Sequence, residues 1–361
     1  MPSGDEKFMR LALRLAERGR GNVSPNPMVG CVVVRGGKIV GRGWHKAFGG
    51  PHAEVFALGD AGKKARGATL FVNLEPCSHF GKTPPCADAI IASGVSRVVC
   101  AMRDPHKAAA GGLEKLRRAG LETKCGVLEK EALQLNECFI TLASTGLPFV
   151  VLKAAVSSDG FIAAAKGAVA PRWISCAASR LRVHKLRAEC DAILVGAGTV
   201  LADDPRLTAR LAGRENVRQP LRVILDPRLR SPLSAKVFAG PNVLVAVSKN
   251  CDLPKRQALE KKGVRFMACK TDSGGGVDLR FLLAGLGKRG VSSVLVEGGH
   301  GVFSSFLEEG LVGKFLLFVS PKVLGAGVPF ATKPALARLG RAKELVRIKS
   351  GTDWLFEGYL G

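Results

Sequence analysis

The chain has 361 residues, 47% of them hydrophobic, and a formal net charge of +24. That is apolar material for about two cored domains, and no apolar run reaches the ~18 residues of a membrane span. Aromatics are only 6% and no dense basic run is interleaved with them, so the charge favours phosphorylated small molecules over nucleic acid as ligands.

Residues 1–147 carry 21 Lys and Arg against 13 Asp and Glu, and the remainder carries 33 against 17. Both parts are therefore basic; the plainer reading of such a surface is that it keeps the chain soluble. The ten cysteines lack the regular pairing of a secreted scaffold, and most sit in apolar runs such as "GCVVV" and "RVVCAM". Buried free thiols in a reducing compartment account for them.

In chain order, "MPSGDEKFMRLALRLAERG" starts acidic, and Phe8, Leu11, Leu15 and Ala16 recur at helical spacing. This predicts a surface helix, not a signal peptide. "GCVVVRGGKIVGRGWH" reads as two strands hinged at Gly36-Gly37. Pro51 introduces a helix, "ATLFVNLEP" is a strand, and "CADAIIASG" is a short helix ended by Gly94. "SRVVCAMRD" is a further strand and "GLEKLRRAG" a helix stopped by Gly120. "STGLPF", with Gly146 and Pro148, is the candidate boundary, giving domains 1–147 and 148–361.

Behind it the strand-like runs are "PFVVLKAAVS", "AILVGAG", "LRVILD", "NVLVAV", "VRFMA", "SVLVEGG" and "KFLLFVSPKVLG". Helices are expected between several of them, at 178–189, 254–262, 279–288 and 302–309. Such alternation predicts a mostly parallel sheet covered by helices. Its ligand site belongs at the carboxyl ends of the strands, where Gly196, Gly198, Gly298 and Gly299 lie.

Zinc takes about four ligands and, when catalytic, leaves one position to water. His52, Cys77 and Cys86 supply three. Pro51 and Pro84-Pro85 place His52 and Cys86 at helix starts, where the positive helix end favours a thiolate. Glu54, two residues from His52, is positioned to move protons on the water. The order His-x-Glu then Pro-Cys…Cys is that of zinc deaminases, here with a longer excursion from Cys77 to Cys86. The competing readings are a core histidine with buried thiols, or a structural zinc. Four required residues in the required order argue against the first. Three ligands plus a non-ligating Glu54 argue against the second.

"SPNPMVGC" (24–31), "GWH" (43–45), "PHAE" (51–54), "EPCSHFGKTPPC" (75–86) and "RDP" (103–105) together resemble the deaminase half of bifunctional riboflavin-biosynthesis deaminase/reductases. "LKAAVSSDG" (152–160), "HKLRAECDAILVGAGTVLADDPRLT" (184–208), "RVILD" (222–226), "VEGG" (296–299) and "PKVLG" (321–325) resemble the reductase half. The resemblance covers nearly the whole chain. It implies an α/β protein with an N-terminal cytidine-deaminase-like three-layer α/β/α domain and a C-terminal dihydrofolate-reductase-like α/β domain.

The resemblance also implies an activity: hydrolytic removal of an amine from a diaminopyrimidinone carrying a phosphoribosylamino group, then reduction of the ribosyl group to ribityl by NADPH. Zn2+ and NADPH are the implied cofactors. Glu54 is the implied proton carrier, Asn26, His45 and Asp104 line the pyrimidine pocket, and His79 and Lys82 meet the substrate phosphate. In the second half Ala155, Trp173, Thr199, Asp203 and the loop Gly298, Gly299, His300 and Gly301 match positions at NADPH. Lys153, Arg187, Leu207, Arg210 and Glu297 match the substrate side, with Lys153 or Glu297 assisting the proton transfer.

Read without that resemblance, Gly196-Ala197-Gly198-Thr199 opens like a dinucleotide loop, but Leu201 replaces the third glycine, so it is not a Rossmann fingerprint. "EGGHG" leads into a helix whose exposed amides suit a cofactor phosphate. The chain departs from the family pattern at Gly167 to Trp173, which is lengthened and has Pro171 at a serine position, and at His106, which follows Asp104-Pro105 in place of Asn. Pro171 offers neither hydroxyl nor N–H, so a deaminase with a non-reducing second domain is one alternative. A nucleic-acid-editing deaminase is another, opposed by the long Cys77–Cys86 loop and the strand-rich second domain. The expected partner is a phosphorylated pyrimidine substrate, with no nucleic acid and no membrane. A homo-oligomer in the cytoplasm is expected, or in a plastid if the source is a plant or alga.

Overall fold

The computed structural model describes residues 4–80, 84–106, 110–165, 167–168, 173–271 and 275–360. The sequence-based readings at Lys82 and Pro171 fall outside these residues. The chain separates into two compact units, Met1–Gly146 and Leu147–Gly361.

The first unit opens with α1 (Gly4–Ala16), which buries Met9, Ala12, Leu13, Leu15 and Ala16. Phe8 and Leu11, half of the predicted apolar stripe, sit at its partly buried edge. The hairpin forms as expected from β1 (Gly30–Arg35) and β2 (Lys38–Trp44), turning through the left-handed Gly36 and Gly37. Then come α2 (Ala53–Ala61), β3 (Thr69–Leu74), α3 (Cys86–Ser93), β4 (Arg97–Met102) and α4 (Gly112–Arg118). A short β5 (Glu122–Lys124) and the helices α5 (Glu129–Leu135) and α6 (Glu137–Thr145) complete it. None of these three is expected from the sequence; β5 is only Glu-Thr-Lys and shows no alternation of apolar residues.

The sheet runs β2-β1-β3-β4-β5, antiparallel at its first two pairings and parallel at the rest. Helix α1 packs on one face and the neighbouring α2, α3 and α4 cover the other, which gives three layers. Strand β2 lies flush against α2: a Cβ on Gly43 would stand 2.2 Å from the carbonyl oxygen of Ala53 and 2.5 Å from the amide of Ala57. Glycine is needed here for close approach, and the approach fixes where α2 begins.

The second unit contains β6 (Phe149–Val156), β7 (Phe161–Ala164), α7 (Ala177–Glu189), β8 (Ala192–Gly196), α8 (Ala197–Asp203) and β9 (Leu221–Leu225). These are followed by β10 (Val243–Val247), α9 (Leu253–Glu260), β11 (Arg265–Ala268), α10 (Leu279–Gly287), β12 (Ser293–Gly298) and α11 (His300–Glu308). The chain closes with β13 (Lys314–Val319), β14 (Gly327–Pro329), α12 (Lys333–Leu339), β15 (Lys343–Ser350) and β16 (Asp353–Tyr359). The main sheet has nine strands in the order β11-β10-β9-β8-β12-β6-β13-β16-β15, and β7 and β14 form a separate pair.

All the predicted strands and helices of this unit are present, and the pairings from β11 to β13 are parallel. The antiparallel β16 and β15 extend the sheet and were not legible. β15 is "KELVRIKS" and exposes most of its length, so no alternation marks it. α8 begins directly at Ala197, so the residues read as a dinucleotide loop are a strand end and the first turn of a helix. The core includes the fully buried Leu152, Ile193, Leu194, Ile224, Phe306 and Phe318. Among the described residues no helix is long and apolar enough to cross a membrane.

Gly43→Ala forces β2 and α2 apart. It is expected to destabilise the first unit by about 3 kcal/mol and to lower the zinc content; calorimetry and metal analysis would read both, and an unchanged melting temperature would show that α2 can shift freely.

Candidate active sites

In the first unit two helix starts and a loop converge. His52 caps the N-terminus of α2 in an extended conformation, and Cys86 is the first residue of α3. His52 Nδ1 lies 3.1 Å from Cys86 Sγ and 3.7 Å from Cys77 Sγ, and the Cys86 backbone N–H donates to Cys77 Sγ at 3.3 Å. The three ligand atoms all lie within 4.8 Å of one another. The Cys86 thiol donates to Cys77, which favours the Cys77 thiolate and pushes Cys86 up. The Cys77 sulfur in turn raises the His52 imidazole. Two sulfurs sharing a proton beside an imidazole form the donor set that zinc occupies by displacing that proton.

Glu54 sits in the first turn of α2, 3% exposed. Burial pushes its carboxyl up, and its Oε2 has no hydrogen-bond partner among the described residues. It lines a cavity of about 300 Å³ with His52, Cys77, Asn26, His45, His79 and Asp104. An orphaned buried oxygen beside three metal donors fits a site whose fourth position is a water.

His45, in the loop after β2, is held by two bonds. Its Nδ1 donates to the Pro51 carbonyl at 3.0 Å, so its Nε2 accepts from Asn26 Nδ2 at 3.1 Å. Burial holds the ring below its ordinary pKa, which keeps it neutral. The Asn26 amide is thereby oriented, with its carbonyl oxygen not engaged by His45. Asp104 follows β4, is half-buried, and is raised by burial. Five of the residues expected in the deaminase site besides the zinc ligands thus reach one cavity: Glu54, Asn26, His45, His79 and Asp104. Sequence reasoning did not single out Phe48, Glu75 and Phe139, and treated His106 only as a departure; all four line the same cavity. Glu75 alone carried a signal, as the acid of "EPC".

In the second unit, parallel pairing of β6 with β12 sets Val296 beside Leu152 and so brings Lys153 next to Glu297. Glu297 is 6% exposed at its side chain and makes a two-pronged pair with Arg187 of α7 at 2.6 and 2.8 Å. Lys153 Nζ is 3.6 Å from its Oε2. Burial alone would raise Glu297, but the charges of Arg187 and Lys153 prevail and hold it at about 2. Lys153 is lowered by burial against the pull of Glu297.

Arg187 Nη1 also donates to the Thr208 carbonyl at 3.2 Å, and Arg210 Nη1 to the Thr208 hydroxyl at 2.6 Å. Arg187, Arg210, Lys153 and Glu297 thus form one contact network. Leu207, beside it, is buried in a left-handed conformation.

Of the residues expected at NADPH, Thr199, Asp203 and the segment 298–301 follow or end the adjacent strands β8 and β12. Thr199 Oγ1 is 3.3 Å from where a Gly299 Cβ would lie, and a side chain on Gly196 would meet Val302 of α11. Open space faces both Gly198 and Gly301. Two neighbouring helix starts, each with a glycine open to space in its first turn, fit the phosphates of a dinucleotide. His300 donates from Nδ1 to the Pro329 carbonyl, and Asp203 ends α8. Ala155 lies on β6, paired with Phe318. The exposed Trp173 accepts from Lys322 through its carbonyl and stacks under Arg180.

Residues 2–102 match the cytidine and deoxycytidylate deaminase zinc-binding region, and residues 148–352 match the RibD C-terminal domain. The riboflavin biosynthesis protein RibD of Aquifex aeolicus is 46% identical over 328 residues, covering 90% of this chain and 89% of the relative. That of Escherichia coli is 42% identical over 352 residues, covering 94% of each. The solved structure of Acinetobacter baumannii RibD superposes with a TM-score of 0.88 at 39% identity over 99% of both chains. A Thermotoga maritima structure described as a diaminohydroxyphosphoribosylaminopyrimidine deaminase/5-amino-6-(5-phosphoribosylamino)uracil reductase gives 0.84 at 40% identity over 99% of both.

A zinc deaminase unit and a reductase unit on one chain define a bifunctional deaminase/reductase. The chain belongs to the RibD family of riboflavin biosynthesis enzymes.

Glu54→Gln should retain zinc and lose deamination by a factor of about 10² to 10⁴. Metal analysis and ammonia release measure this; loss of zinc from that variant would mean that ligand and proton carrier had been interchanged.

Proposed function

We propose that the first unit deaminates 2,5-diamino-6-(5-phosphoribosylamino)pyrimidin-4-one by hydrolysis and that the second reduces the ribosyl group of the product to ribityl. The observation that carries the first step is the orphaned Glu54 oxygen in a cavity shared with His52 and Cys77. Zinc held by His52, Cys77 and Cys86 would supply a Lewis acid that acidifies water. Glu54 accepts one proton of the attacking water and passes it to a ring nitrogen; it then takes the hydroxyl proton of the tetrahedral adduct and gives it to the amine, which leaves as ammonia as the C–N bond breaks and the carbonyl forms. Asn26, oriented by the neutral His45, presents an amide to the pyrimidine edge, and Asp104 closes the same cavity. His79 and Lys82 are assigned to the phosphate.

In the second unit NADPH would supply a hydride to the sugar carbon. Thr199, Asp203, Ala155, Trp173 and residues 298–301 are assigned to holding it, and Arg187, Arg210 and Leu207 to the substrate. When the sugar ring opens, its oxygen needs a proton. Glu297 is fixed as a carboxylate by Arg187, so it positions charge and does not give a proton. Lys153, an ammonium weakened by burial, is the donor. An assembly of like chains in the cytoplasm extends this reading. The edge strand β15 exposes Leu345 and Val346, as a strand covered by a second copy would; light scattering checks the assembly.

Product mass separates the two steps. Without NADPH the substrate should exchange an NH for an oxygen, and with NADPH it should gain two further hydrogens. The first change without the second would remove the reductase assignment. Lys153→Ala should spare deamination and lower reduction by about 10²-fold or more, and equal activity in both steps would take Lys153 out of the mechanism.

A further inference from the structure

Glu75 directly follows β3, two residues before the zinc ligand Cys77, and is 3% exposed. A buried carboxylate needs partners, and among the described residues Glu75 finds them in backbone amides. Its Oε1 accepts from the N–H groups of Gly111 and Leu113, each at 3.1 Å. Its Oε2 accepts from the N–H of Asp104 at 3.2 Å. One side chain thus ties the end of β4, where Asp104 reaches the cavity, to the first turn of α4.

Two further contacts fasten the same elements. Ser78 Oγ donates to the Ala110 carbonyl at 2.7 Å. A Cβ on Gly112 would stand 1.7 Å from the Pro76 carbonyl oxygen, so α4 starts directly against the chain that leads to Cys77. Among the described residues the Asp104 side chain has a purely local bond: its Oδ1 accepts the His106 N–H two residues on.

We propose that Glu75 is a positioning residue for deamination, holding Asp104 at the pyrimidine by tying its backbone to the start of α4. Glu75 touches no reacting atom. It acts through Asp104, so its effect belongs in substrate binding and not in the zinc site. The proposal rests on the deaminase reading of the first unit.

Glu75→Gln is the selective test. The amide oxygen can keep Gly111 and Leu113, but its NH2 then faces the Asp104 N–H, donor against donor. The expected result is full zinc content, a KM for deamination raised about tenfold and a kcat changed less than about threefold. In an Asp104→Ala background the same substitution should raise KM no further, because both changes remove one interaction. A KM within about twofold of wild type, KM effects that multiply in the double variant, or zinc and kcat falling together would each overturn the proposal.

Hydrogen exchange on the zinc-loaded wild-type protein gives a reading that needs no variant. Protected amides at Asp104, Gly111 and Leu113 support the tie, and exchange at the free-peptide rate refutes it. Wild-type protein that released no ammonia would instead sink the deaminase reading itself.

Discussion

A carboxylate buried with an unpartnered oxygen is among the more costly groups a fold can carry, and the first unit is organised around one. Glu54 lies where β2 presses on α2, a contact that only a glycine at position 43 permits. The same contact sets the start of α2 and therefore the place of His52. The start of α3 delivers Cys86 to the opposite side of the same point. Desolvation is concentrated where chemistry needs a proton acceptor that water has not already satisfied.

The second unit handles burial the opposite way. Glu297 is equally enclosed but fully compensated, with a guanidinium on both oxygens and an ammonium nearby. Such an arrangement contributes less to stability than to order: it pins α7 to the ends of β6 and β12. One carboxylate is left hungry for a proton and the other is prevented from taking one. The two halves of the chain thus bury the same residue type in opposite electrostatic settings.

The zinc residues were legible because they fall in two short segments whose turns and helix starts are marked by proline. Lys153 and Glu297 were legible as a resemblance, but their meeting depends on the parallel register of β6 and β12, which no local pattern encodes. Phe48, Glu75, His106 and Phe139 reach the cavity from four separate segments. Glu75 shows why such residues escape: its partners are backbone amides, and any sequence supplies those. The strands β15 and β16 escaped for another reason. β15 is satisfied by its neighbour β16, while its own side chains, an exposed run from Lys343 to Arg347, read as surface.

The convergence of His52 and Cys86 has a thermodynamic side. They are 34 positions apart, and a metal bound to both closes that stretch of chain as a cross-link. On the chain-entropy account, a closed loop of this length withholds roughly 4 kcal/mol of disorder from the unfolded state. The ion in this unit is therefore a staple as well as a reagent, and the fold's resistance to heat becomes a function of the free zinc concentration around it.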